Sequence, residues 1–284
     1  MSEHPAVQRV LRTPGATPTV VFSNGLGMTL DFWLPVIDRL PDLATVSFDR
    51  PETMPTEPES LAGYVDEFAT ALTGVTSALI VVGHSYGALL AEAFARHAAD
   101  RVVALVLVDP TAPEEYAGGD GTGDLPAWRR YLVSAVTALP ASLTHYAAHA
   151  VIAGGTAVAK PTEAVEALHP DTSERLTTET HLTRSMHDDH YLPAVCREVL
   201  AQRRAGPLPI PVTVVAGGLG PRPLRRPQAD WIETQRAQLA ALSDDAELIV
   251  LDAAHLLMID RPDELAAIIA AQWRQFRGDR RGCR

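Results

Sequence analysis

The sequence predicts an α/β protein, a mostly parallel sheet covered by helices, with a helical cap inserted after the sixth core strand. Three observations lead there. Six short apolar runs are hydrophobic throughout rather than alternating, as strands buried on both faces require. Helical periodicity fills the gaps between them. The pattern is interrupted once, between Thr111 and Gly206, where helical patterns continue without a convincing strand.

Taken in order, residues 6–12 are a candidate edge strand, followed by strands at 19–23, 44–48, 78–82, 102–108, 212–216 and 247–251. Each of the last six is short, rich in valine and isoleucine in most cases, and ends near Gly, Asp or Pro. Leu61, Val65, Phe68, Ala69 and Leu72 recur at helical spacing, as do Leu89, Leu90, Ala93 and Phe94, and later Leu265, Ile268, Ile269 and Trp273. Residues 228–238 also look helical. The core is therefore expected over 1–110 and 207–284, and a helical lid over 111–206. Glycine-rich 118–123 and proline-rich 206–211 are the expected hinges.

Composition narrows the function. The 284 residues carry 24 Lys+Arg against 35 Asp+Glu, a net charge of −11, with basic clusters only at 222–226 and 277–284. Binding to a nucleic-acid backbone needs a positive field and is not expected. Cys196 and Cys283 lie far apart without CxxC spacing, so no disulfide framework or zinc finger is expected. No run approaches the ~18 apolar residues of a membrane span, and the first residues lack the apolar core of a signal peptide. The expectation is a cytoplasmic protein with a small-molecule substrate, no cofactor and no membrane partner; nothing in the sequence specifies an oligomeric state.

The chemistry centres on Gly83-His84-Ser85-Tyr86-Gly87, between the 78–82 strand and an alanine-rich helix. This is G-x-S-x-G, in which flanking glycines let a strained turn project the serine oxygen from the sheet. The chain's composition gives about 0.05 chance matches. A serine hydroxyl needs a base, and His255 follows the last strand by a short loop. Of the ten histidines His84 is pinned inside the elbow, and of the rest His255 alone sits at a strand's carboxyl end in the main sheet, where such sheets gather functional groups. An anionic intermediate also needs N–H donors. The loop Asn24-Gly25-Leu26-Gly27 ends the 19–23 strand in glycines and offers the Leu26 N–H beside that of Tyr86.

With these points the chain resembles the α/β-hydrolase fold family, specifically its cap-bearing serine hydrolases, from about residue 18 to 276. Trp33 downstream of N-G-L-G, Ser47-Phe48-Asp49-Arg50-Pro51, G-H-S-Y-G, Val106-Leu107-Val108-Asp109-Pro110 and the Ala254-His255 pair before Arg261-Pro262-Asp263-Glu264-Leu265 carry the resemblance. It implies Ser85 as nucleophile, His255 as base, Leu26 and Tyr86 as oxyanion donors, and the insertion as a lid. Departures are Asn24-Gly25 where relatives usually have His-Gly, Glu52-Thr53-Met54-Pro55 in place of a glycine-rich turn, and Gly217-Gly218-Leu219-Gly220-Pro221 where the acid customarily stands. Two aspartates therefore compete. Asp109 ends the strand after the nucleophile's, a rigid position that some members use; Asp230 is the alternative acid, in the helical stretch beyond the 212–216 strand.

Other clusters read more plainly. His187-Asp188-Asp189-His190 has helical spacing but lacks a third ligand, and is expected to be a solvated or pocket-lining part of the lid rather than a metal site. Arg222, Arg225 and Arg226 read as a solvated loop, and Trp128, Tyr131, Tyr146 and Tyr191 as the lid's own core. The expected activity is cleavage of an ester, thioester or lactone of a small apolar metabolite through an acyl-enzyme. Acyl transfer, C–C hydrolysis or non-hydrolytic tailoring of a secondary metabolite on the same fold is the alternative, and a non-catalytic ligand-binding protein a third reading.

Overall fold

In the computed structural model the described residues are 9–51, 60–119, 172–176, 178–220 and 227–282. Seven strands form one sheet in the order β1-β3-β2-β4-β5-β6-β7. They are β1 (Val10–Thr13), β2 (Ala16–Ser23), β3 (Leu43–Phe48), β4 (Leu79–His84), β5 (Val102–Val108), β6 (Val212–Gly217) and β7 (Ala246–Leu251). Only β1 runs antiparallel, pairing with β3; every other neighbouring pair is parallel. The predicted fold class is the observed one.

Successive residues of the central strands feed opposite layers, as a two-residue period demands. Val21, Val81, Leu105 and Val214 enter one core, with Tyr64, Phe68, Leu89 and Phe94 from α2 (Leu61–Ala71) and α3 (Tyr86–His97). Val20, Ile80, Val106 and Val215 enter the other, with Trp33 from the 3-10 turn Leu30–Trp33 and Val36, Leu257 and Ile269 from α1 (Leu34–Ile37), α8 (Leu257–Asp260) and α9 (Pro262–Gly282). Covering both faces is what makes the strands hydrophobic throughout. Phe68 stacks on Phe94 at 4.7 Å and meets Phe48 edge-on at 4.9 Å.

The last strand departs from the expected burial on both faces. β7 closes the sheet, has no fully buried residue, and leaves Val250 46% exposed. An apolar run cannot reveal that its strand lies at an edge. The strand count before the insertion is also corrected: residues 9–110 hold five strands among the described residues, so the helical segment follows the fifth strand, not a sixth.

Between β5 and β6 the described residues are helical, with α4 (Pro113–Tyr116), α5 (Thr172–Leu176) and the 25-residue α6 (Glu179–Arg203). The Thr178 hydroxyl caps α6 by accepting from the His181 N–H at 3.2 Å. Helix α6 packs on α2, α3 and α4, so its far end is part of the core. There Arg203 of α6 donates to the buried Glu92 of α3 at 2.8 Å, and Arg96 shares that carboxylate. Gly206, at the expected hinge, has φ of +123°. Helix α7 (Ala229–Leu242) lies against β6 and β7. No helix of the described residues is long and apolar enough to cross a membrane. The readings placed on 52–55, 120–123, Trp128, Tyr131, Tyr146, Arg222, Arg225, Arg226 and Cys283 lie outside the described residues.

Phe68 lies between two other phenylalanine rings and Val250 on the open edge, so their truncations should separate cleanly. Phe68→Ala is expected to lower stability by ~3–5 kcal/mol, and Val250→Thr to change it by less than about 0.5 kcal/mol. Urea unfolding midpoints at constant slope check both.

Candidate active site

Strand β4 passes directly into α3 through Ser85, whose φ of 52° and ψ of −122° are strained for a residue with a side chain. Such a conformation costs of order 1–3 kcal/mol and persists only where the surroundings over-determine it. They do so here. Ser85 N–H donates to the Val108 carbonyl of β5 at 3.0 Å, and the Ser85 carbonyl accepts from Ala88 and Thr111 at 3.0 and 3.3 Å. A Cβ on Gly83 would stand 2.5 Å from the Gly87 carbonyl oxygen, and one on Gly87 would collide with the Asn24 carbonyl. The two glycines of the motif thus permit one crossing each: strand against helix at Gly83, and helix against the loop after β2 at Gly87.

Asp109 follows β5, next to the residue that anchors Ser85. Its φ of 43° is left-handed, a region that aspartate tolerates better than most residues. Only 4% exposed, it spends both carboxylate oxygens. Oδ2 lies 2.6 Å from His255 Nδ1, while Oδ1 accepts from Gly217 N–H at 3.0 Å and Trp231 Nε1–H at 2.8 Å. Burial alone would raise the pKa of this carboxyl, but its bonds to His255, Trp231 and Gly217 outweigh that and hold it below the usual range.

The glycine at the strand end that lacks an acid therefore serves the acid of the neighbouring strand. β5 and β6 are paired, with Val108 opposite Val215, so the Gly217 amide falls beside Asp109. The glycine also admits the histidine loop, since a Cβ at 217 would lie 2.8 Å from the Ala253 carbonyl. Asp230, the competing candidate, is exposed in the first turn of α7. Its neighbour Trp231 is the residue that reaches the site, a contribution that sequence reasoning missed because no motif marks it.

His255 is half-exposed, while its backbone carbonyl accepts from the His84 ring at 2.9 Å with the two rings 4.6 Å apart. His84 is fully buried at the elbow. Burial, with the His255 ring beside it, pushes its pKa down to about 3, so it is neutral and donates from Nε2. His84 thus braces the histidine loop from within the elbow.

The loop after β2 lies beside the first turn of α3. Leu26 is half-buried and Tyr86 is buried at the helix start. Asn24 Nδ2 donates to the Phe48 carbonyl at 2.9 Å, and Arg50 donates to the Asn24 and Gly25 carbonyls at 2.8 and 2.9 Å. From the 187–190 run, Asp188 is buried and accepts from Arg50, Arg184 and Tyr64. Burial would raise its pKa, yet Arg184 and Arg50 hold it low. Asp188, Arg50, Arg184 and Ser185 line a cleft between this loop and α6; of the 187–190 run only Asp188 lines it, and Asp189 and His190 are half-buried. Tyr191 is buried against His187 and His190.

A serine on a strained strand-to-helix turn and a hydrogen-bonded aspartate–histidine pair, all at the carboxyl ends of parallel strands, define a protein of the α/β-hydrolase type. The chain belongs to the alpha/beta hydrolase family, whose profile it matches over residues 20–268. Similar solved structures include the enol-lactonase from Burkholderia xenovorans LB400, 18% identical with a TM-score of 0.63 over 94% of this chain and 95% of that one. A candidate epoxide hydrolase from Pseudomonas aeruginosa is 19% identical, with a TM-score of 0.65 over 98% and 96%. A thermophilic esterase from Thermogutta terrifontis is also 19% identical, at 0.62 over 94% and 93%. At these identities the likeness is one of fold. A curated relative, the dihydrolipoyllysine-residue acetyltransferase component of the acetoin cleaving system of Cupriavidus necator, is 37% identical over 110 residues, 36% of this chain and 29% of that protein. The match thus spans under a third of that relative's length.

The buried neutral His84 makes stability depend on pH. Its pKa is depressed to about 3 on folding from 6.5, so its contribution is complete above pH 6.5 and is lost as pH falls toward 3. Between pH 7 and pH 5 this group should remove ~2 kcal/mol. His84→Gln retains an N–H donor without a titrating ring. Urea unfolding at both pH values should show the variant losing about that much less stability than the wild type.

Proposed function

We propose that the protein is a serine hydrolase that cleaves an ester, thioester or lactone of a small, largely apolar molecule. The observation that carries this reading is the 2.6 Å contact between His255 and an Asp109 held low in pKa by two further donors, with the His255 loop tied to the elbow through His84.

Ser85 Oγ attacks the substrate carbonyl as its proton passes to His255 Nε2, and Asp109 stabilises the imidazolium that forms. The carbonyl oxygen becomes an anion, received by the Leu26 and Tyr86 N–H groups. When the intermediate collapses, the His255 proton goes to the leaving oxygen or sulfur and the acyl group stays on Ser85. Water, deprotonated by His255, then attacks the acyl-enzyme, and the proton returns to Ser85 as the acid departs. A serine nucleophile forms an acyl-enzyme, whereas epoxide opening or dehalogenation on this fold calls for a carboxylate nucleophile. Acyl transfer differs only in the final acceptor, and the partial match to an acetyltransferase component favours keeping it as the second reading.

A fluorophosphonate should label Ser85, and short and long p-nitrophenyl esters should turn over many times per protein. Failure of the folded wild type to label overturns the reading, and a single product released per protein favours a binding role. The acid is tested separately. Asn at 109 can still accept from Gly217 and Trp231, but its amide would face His255 Nδ1 with a donor and enforce the wrong tautomer. Asp109→Asn is therefore expected to remain folded and lose ~10⁴ in kcat, with Asp230→Asn near wild type; the reverse pattern overturns the assignment.

A further inference from the structure

We infer that Arg50 is a positioning residue that aims the Leu26 N–H into the oxyanion site and is itself held by Asp188 of helix α6. The inference rests on the acyl-enzyme reading above. Arg50 lies two residues beyond β3, and all three of its guanidinium nitrogens are committed. Nη1 donates to the Asn24 carbonyl at 2.8 Å, Nη2 to the Gly25 carbonyl at 2.9 Å, and Nε to Asp188 Oδ2 at 2.8 Å.

The geometry of the peptide bond turns this clamp into catalytic alignment. The Gly25 carbonyl and the Leu26 N–H belong to one planar trans unit and point in opposite directions. Holding the oxygen on Arg50 therefore fixes where the hydrogen points, and the weaker 3.3 Å bond from Met28 N–H to the same oxygen does not replace the fork. The guanidinium also lies 5.4 Å from the centre of the Tyr86 ring, so one side chain holds the peptide unit that carries one proposed donor and faces the residue that carries the other.

The clamp is tied to the inserted segment. Asp188 receives Arg184 Nε at 3.0 Å and the Tyr64 hydroxyl at 2.9 Å as well as Arg50, and Arg184 continues to the Pro51 carbonyl and Glu67. His181, on the same helix, approaches the Gly27 carbonyl at 3.2 Å. Helix α6 thus grips the oxyanion loop from its outer side, and a lysine at 50 would offer a point charge where three acceptors require a planar fork.

Arg50→Lys, Asp188→Asn and Arg203→Lys test this. The last weakens a buried arginine–carboxylate pair at the other end of α6 and serves as the stability control. Arg50→Lys should lower kcat about 10- to 100-fold with KM within about threefold, less than loss of a whole donor costs. Inhibition by a trifluoromethyl ketone analogue of the best ester, which forms an oxyanion on Ser85, should weaken by the same factor. Asp188→Asn should move both in the same direction by less, and Arg203→Lys should lower Tm while leaving both alone. Unchanged kcat and ketone affinity in folded Arg50→Lys overturns the inference, as does a rise in KM alone. If Arg50→Lys does not fold, Asp188→Asn decides by the same pair of readouts. A wild type that a fluorophosphonate does not label would overturn the proposed function, and this inference with it.

Discussion

The hydrogen bond from Ser85 N–H to the Val108 carbonyl is the constraint around which the site is arranged. It holds a side-chain-bearing residue at φ of 52° by tying the end of β4 to the end of β5. The residue after Val108 is Asp109, so the bond that strains the serine also brings in the carboxylate. Pairing of β5 with β6 then supplies the Gly217 amide, and β6 with β7 delivers the loop bearing His255. A backbone that relaxed at Ser85 would loosen every later member of this series.

Charge in the interior is managed in closed groups. Asp109 has His255 and two N–H donors, Glu92 has Arg96 and Arg203, and Asp188 has Arg50, Arg184 and Tyr64. Burying such ions costs several kcal/mol apiece before pairing, so these groups are poor devices for stability alone. Their geometry gives them a different use. A planar guanidinium bound at three points specifies orientation in a way that apolar packing does not, and two of the groups join the long helix α6 to the core, one at the loop after β2 and one at α3. His84 meets the same problem by remaining neutral.

The chain is under 20% identical to the solved structures it resembles and shares their fold. Each proposed role needs an atom at a strand or helix terminus, and the residue type matters only where its side chain takes part. The roles proposed for Leu26 and Tyr86 use only their backbone N–H groups and do not depend on the side chains of Asn24 and Gly25. At Gly217 the side chain is dispensable because the carboxylate comes from the adjacent strand.

The sequence by itself determined the strands, the elbow and the histidine, because each leaves a local record. A strand buried on both faces must be apolar throughout, a sharp crossing must have glycines at two fixed offsets, and a base at a strand end follows its strand directly. It also narrowed the acid to two residues. What tertiary structure alone decided are the contacts between distant segments: Asp109 and His255 lie 146 residues apart, and Arg50 and Asp188 138 apart. The indole of Trp231, the outer face of β7 and the link from α6 to the loop after β2 belong to the same class. Their energies depend on which strands and helices become neighbours, a property of the assembled sheet that no local pattern records.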